Sequence, residues 1–85
     1  MKEFNHVIAD PEGVHARPAT ELVKLAKNYQ SSISIIFDGR VGDCKRVFTI
    51  MALGIKCGNT VTFAFDGDDE DAAMEAFTDF VATKL

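Results

Sequence analysis

No stretch of this sequence stays apolar for the roughly 20 residues a bilayer crossing needs, so a membrane-spanning helix is excluded. No basic start leads into an apolar core and a small-residue cleavage site, so no signal peptide is expected, and a cytoplasmic location follows. Cysteine is scarce. Cys44 and Cys57 are too few for a disulfide framework, and reduced thiols packed as small residues are expected. Basic residues are outnumbered, 9 Lys and Arg against 13 Asp and Glu, for a net charge of −4. That balance argues against bulk nucleic-acid binding. There is no repeat, no low-complexity segment, no linker, and no serine after Ser34. What remains is 47% hydrophobic and 26% charged, the balance of a soluble globular domain and not of a disordered tail. The 85 residues amount to one domain, 1–85. A chain of that size buries about 60–65% of its unfolded surface, leaving room for a shallow surface site and none for a deep catalytic cavity.

The pattern alternates short strands and helices. Residues 2–9 carry Phe4, Val7 and Ile8 and run into Asp10-Pro11, a turn signal, so a first strand is expected there. Over 16–29, Ala19, Leu22, Ala26 and Tyr29, with Val23 beside them, form one helical stripe. Pro18 sits in the first turn, where amides lack partners anyway. Ile33, Ile35 and Phe37 alternate with Ser32 and Ser34, and Asp38-Gly39 signals a tight hairpin into a strand over 40–44. A short helix over 47–53 is stopped by Gly54, with Ile50 and Leu53 towards the core and Val47, Phe48 and Met51 on the other side. Val61, Phe63 and Phe65 alternate as a fourth strand. A last helix over 69–84 places Ala73, Phe77, Phe80 and Val81 at helical spacing behind an acidic start. The order β-α-β-β-α-β-α predicts an α+β fold, a mostly antiparallel four-stranded sheet with helices on one face.

Chemistry concentrates in Glu12-Gly13-Val14-His15-Ala16-Arg17-Pro18. A helix start offers unpaired amides and partial positive charge, and so binds anions. A histidine there can act as a nucleophile towards phosphorus, and Arg17 can add a charge-assisted contact to a phosphate oxygen. Gly13, Ala16 and Pro18 support the helix start, Gly13 by leaving the approach open. Spacing alone does not choose between this and a surface histidine that caps the helix. His6, in step with Phe4 and Ile8, reads as an ordinary strand residue near a sheet edge. Arg17, Thr20, Lys24 and Lys27 share the helix face opposite the apolar stripe, a basic surface on an acidic protein that suits acidic partners. Asp66 to Asp71 mimics a calcium loop, but the required Gly and Glu positions hold Asp71 and Phe77, and the cysteines and histidines lack zinc spacing, so no metal is expected.

Gly13-Val14-His15-Ala16-Arg17-Pro18-Ala19 resembles the active-site motif of the HPr family, the histidine-containing phosphocarriers of the bacterial phosphoenolpyruvate-dependent sugar phosphotransferase system. Met51-Ala52-Leu53-Gly54 resembles the family's second signature. Chain length and element order match from end to end. The resemblance implies an open-faced β-sandwich with sheet order 1-4-2-3. It implies that enzyme I phosphorylates His15 at Nδ1, that Arg17 neutralises the phosphate, and that the group passes to sugar-specific enzyme IIA domains. Val47, Phe48 and Met51 match the apolar centre of the partner interface, with Thr20, Lys24, Lys27 and Arg46 around it. The carrier is expected to be a monomer with no cofactor, no nucleic-acid partner and no direct membrane contact. Where Gram-positive relatives open the middle helix with a kinase-regulated serine, this chain has Arg46, and the nearest hydroxyl, Thr49, lies inside the helix. Two alternatives remain: a regulatory protein on the same fold that docks on or phosphorylates a regulator without serving sugar transport, and a small ligand-binding module in which His15 only caps.

Overall fold

The structure, a computed structural model, describes residues 1–85. Four strands, β1 (Lys2–Val7), β2 (Ser32–Phe37), β3 (Arg40–Asp43) and β4 (Thr60–Asp66), form one sheet in the order β1-β4-β2-β3. Every neighbouring pair is antiparallel. Helices α1 (Ala16–Ala26), α2 (Val47–Met51) and α3 (Glu70–Lys84) complete the expected order. Asp38 and Gly39 have φ of 53° and 75°, as a two-residue hairpin of this hand requires.

Alternation decides which side of the sheet is covered. Phe4, Phe63, Ile35 and Gly42 lie in register across all four strands. Phe63 and Phe65 are fully buried, and Phe77 of α3 meets both edge-on, with ring centroids 5.7 and 5.3 Å away. The α1 stripe packs as its spacing predicts. Pro18, Ala19, Leu22, Val23 and Ala26 are buried, and Tyr29 packs against the core from beyond the helix. Gly42 ends the register row with no side chain, and that lets α2 approach β3. A Cβ there would sit 3.1 Å from the Thr49 carbonyl oxygen and 3.2 Å from Leu53 Cδ1.

Asp69, just before α3, ties the start of that helix to the segment that leads into β2. Its carboxylate accepts from the Ser31 hydroxyl and from the amides of Gln30 and Ser31. The Ser31 hydroxyl above all, then the Gln30 amide, holds its carboxyl below the usual range. A depressed carboxyl contributes stability that is present above the unfolded-state pKa and is lost as pH falls through the folded one.

Three expectations need correction. Val47 is half-buried and packed against the core, not exposed beside Phe48 and Met51. At about 3.6 residues per turn it stands one turn before both Ile50 and Met51, on the border between buried and exposed sides. Cys57 is exposed, with Sγ 3.7 Å from the Ala9 carbonyl oxygen, and is not a packing residue. Cys44 is buried as expected, and burial pushes its thiol pKa up. α1 is also shorter than its stripe, because the chain tightens after Ala26, with Asn28 and Tyr29 donating three residues back to Leu25 and Ala26.

Candidate functional site

The loop between β1 and α1 is fixed by backbone bonds to the segment before β4. Ile8 donates to Asn59, Gly58 donates to Ile8, and Val14 donates to Ile55. Gly13 makes the close approach possible. Its φ is 69°, and a Cβ would fall 2.4 Å from the Ile55 carbonyl oxygen. Within the loop Asp10 forms an Asx turn, its Oδ1 accepting from the Glu12 amide at 2.8 Å, and its carbonyl accepts from the Gly13 amide at 2.9 Å.

This loop delivers His15 to the N-cap of α1 in extended geometry, φ −91° and ψ −174°. The imidazole makes no capping bond to the backbone. Nε2 instead faces two carboxylates, 3.5 Å from Asp10 Oδ2 and 3.4 Å from Glu12 Oε2. The His15 carbonyl receives the Ala19 amide. Pro18 has no N–H, so the amides of Ala16 and Arg17 are the first-turn donors without an intrahelical acceptor. Arg17 is exposed, and together with Asp10, Glu12, His15, Glu21 and Lys84 it lines an open, polar depression of about 530 Å³. Thr20 and Lys24 are exposed on α1 and Lys27 at its C-cap, although the Thr20 hydroxyl is occupied with the Ala16 carbonyl. Asp10, Glu12 and His15 bring three potential ligand atoms within 4.8 Å of one another, the one group that could hold a metal ion.

Of the expected docking residues, Phe48 is 83% exposed and Met51 40% exposed. Arg46 occupies the N-cap of α2, exposed, with no side-chain cap and a 3.7 Å pairing to Asp43. Lys45, its neighbour, is turned away and donates to the Tyr29 carbonyl at 2.8 Å. The Thr49 hydroxyl is also occupied, lying within 2.9 Å of the Asp43 amide and carbonyl and 2.7 Å from the Arg46 carbonyl.

The phosphorylation-site model of the HPr component of the sugar phosphotransferase system matches residues 2–83. The chain belongs to the HPr family. It is 41% identical to the phosphocarrier protein HPr of Mycoplasma capricolum over 76 residues, covering 89% of this chain and 85% of that one. An HPr structure from Thermoanaerobacter tengcongensis superposes with a TM-score of 0.94 at 37% identity, covering 99% of this chain and 94% of that one. The Bacillus subtilis catabolite-repression protein Crh is further away, with a TM-score of 0.78 at 29% identity, 88% of this chain and 86% of that one. The HPr fold is thus shared throughout, sheet order included. No helix is long and apolar enough to cross a membrane.

Sequence reading passed over Asp10 and Glu12 as partners of His15. Asp10-Pro11 was legible as a turn, but that the turn folds its carboxylate back onto the imidazole was not. It also passed over Arg40, whose Nη2 donates to the Leu53 carbonyl at 2.7 Å and so closes the far end of α2.

Proposed function

We propose that this HPr-family chain accepts a phosphoryl group from enzyme I on His15 Nδ1 and hands it to enzyme IIA domains. The observation that carries the reading is the setting of His15 at the start of α1. Nε2 is turned to Asp10 and Glu12, which leaves Nδ1 as the ring nitrogen free for phosphorus. The Ala16 and Arg17 amides stand ready for the phosphoryl oxygens, and the Arg17 guanidinium adds a charge-assisted contact. The step is a displacement. Nδ1 donates its lone pair to phosphorus, and the bond between phosphorus and the donor breaks with its pair returning to the donor.

Phe48 and Met51 serve as the apolar anchor of docking, with Arg17, Lys24, Lys27 and Arg46 meeting acidic partners around them. Thr20 lies on the same face. The carrier works as a monomer in the cytoplasm. The likeness to Crh supports a second reading, in which the same surface docks on a regulator and does not serve sugar uptake. Transfer onward to an enzyme IIA domain separates the two.

The test is incubation with phosphoenolpyruvate and enzyme I, followed by mass spectrometry for acid-labile phosphate. Wild type and His6→Gln should each take up one phosphoryl group, and His15→Ala none. Labelling of His15→Ala would overturn the reading.

A further inference from the structure

We infer that Asp10 and Glu12 are positioning residues that fix the His15 proton on Nε2 and thereby keep the Nδ1 lone pair available to phosphorus. This rests on the reading of His15 as the phosphoryl acceptor. A neutral imidazole carries one proton, and which nitrogen holds it is decided by what the other nitrogens' surroundings accept or repel. With the proton on Nε2, two carboxylates face an N–H. With the proton on Nδ1, they face a lone pair, and negative charge meets negative charge. The distances of 3.5 and 3.4 Å are longer than a settled hydrogen bond of about 2.7–3.2 Å, a looseness expected before a ring gains charge.

The two carboxylates are not equal. Asp10 is only 21% exposed, and its other oxygen is held by the Glu12 amide, so the one facing His15 is fixed. Glu12 is 76% exposed and more strongly screened. Asp10 therefore carries most of the effect. The other charged groups around the depression are Arg17, Glu21 and Lys84.

The arrangement serves both directions of transfer without moving a proton. On acceptance the Nδ1–P bond forms and the donor's bond to phosphorus breaks, leaving the His15 ring a phosphorylated imidazolium whose Nε2–H faces the carboxylates. On hand-off the acceptor's nucleophile attacks phosphorus. The Nδ1–P pair returns to the ring, and neutral imidazole leaves, still protonated at Nε2. Neutral imidazole is a far better leaving group than imidazolate, so holding the Nε2 proton favours both halves of the cycle.

Asp10→Asn is the decisive variant. The Asn oxygen can keep the Asx turn, and its amide then points N–H towards Nε2, which favours the proton on Nδ1. In the full chain with ¹⁵N-labelled histidine, NMR at pH 8 should show wild-type His15 protonated at Nε2. Asp10→Asn should shift the tautomer ratio at least about fivefold towards Nδ1–H and slow phosphoryl acceptance from enzyme I by a factor no larger than that shift. Glu12→Gln should do the same more weakly. Glu75→Gln, on the exposed side of α3, should do neither. A purely structural role for Asp10 would not move the ring shifts in a folded variant. Wild-type tautomer ratios in Asp10→Asn and in the Asp10→Asn/Glu12→Gln double variant would overturn the inference. If the wild type takes no phosphoryl group, the proposed function falls, while the ring shifts still decide whether these carboxylates set the tautomer.

Discussion

In the proposed transfer the start of α1 and the whole of α2 both take part, yet they are built in opposite ways. The α1 start is sequence-local. Asp10, Glu12, Gly13, His15 and Arg17 lie within eight consecutive positions, and the loop sets their geometry through its own Asx turn. α2 is five residues long, begins with β-branched Val47, and has no cap from its own N-cap side chain. So short a segment does not form a stable helix by itself. It is fastened from outside. Thr49 bonds to Asp43, Arg40 reaches Leu53, and Gly42 leaves room for the helix to sit on β3. The α1 start takes its side-chain geometry from neighbours in sequence, on a loop pinned to the segment before β4. A docking surface, which needs only to be presented, is held by neighbours in space.

The comparison breaks most sharply at Gly13, where the loop runs closest against a distant backbone. Gly13→Ala brings a positive φ that costs about 1–2 kcal/mol and a methyl group 2.4 Å from the Ile55 carbonyl oxygen. Forcing that contact apart costs about 1–3 kcal/mol more, so urea melts should show a loss of about 3 kcal/mol. Phosphoryl acceptance should fall with it, because the displaced loop carries His15. A loss below about 1 kcal/mol would show that the loop yields and that its pinning to Ile55 is incidental.

Phe48 tests the other half. Its side chain is 83% exposed, so Phe48→Ala should change stability by less than about 0.5 kcal/mol, as surface substitutions do. Enzyme I binding, read by calorimetry, should weaken by more than about 1 kcal/mol if the ring is an anchor. Ile50→Ala, two residues on, on the opposite side of α2 and fully buried, should invert the pattern with a stability loss of about 2–5 kcal/mol. Unchanged binding in Phe48→Ala would remove α2 from the docking surface.

What the sequence makes legible follows the same division. The two alternating runs, Ile33 to Phe37 and Val61 to Phe65, and the Asp38-Gly39 hairpin fix most of the sheet, since a period of two leaves no choice of face. The α1 stripe is long enough for its buried side to be read directly. Five residues of α2 are too few for a period to set a rotation, and Val47 is accordingly misplaced by part of a turn. The site motif is legible as a string of residues. The turning of Asp10 onto His15 is not, because it depends on side-chain direction within a loop. Nor does alternation reveal that the Nε2 of His6 is buried with no hydrogen-bond partner.

The smallest expected effect sharpens the contrast further. If α2 is held only from outside, then supplying the cap that it lacks should stabilise it. Arg46 is its N-cap residue, in extended geometry with φ −133°, and its side chain makes no bond to the helix amides. A serine there can accept from the amides of the first turn, a gain of about 0.5–1 kcal/mol. Removing a cation from the positive end of the helix adds a few tenths more. Against this stands the loss of the pairing to Asp43, which at 3.7 Å between exposed groups is worth close to nothing. Arg46→Ser should therefore raise the thermal midpoint by a few degrees, since about 1 kcal/mol corresponds to roughly 4–8 °C for a domain of this size. It should slow phosphoryl acceptance at His15 only through weaker docking of the acidic partner, an effect that saturating enzyme I removes. A lowered midpoint would mean that the Arg46 side chain holds α2 from within.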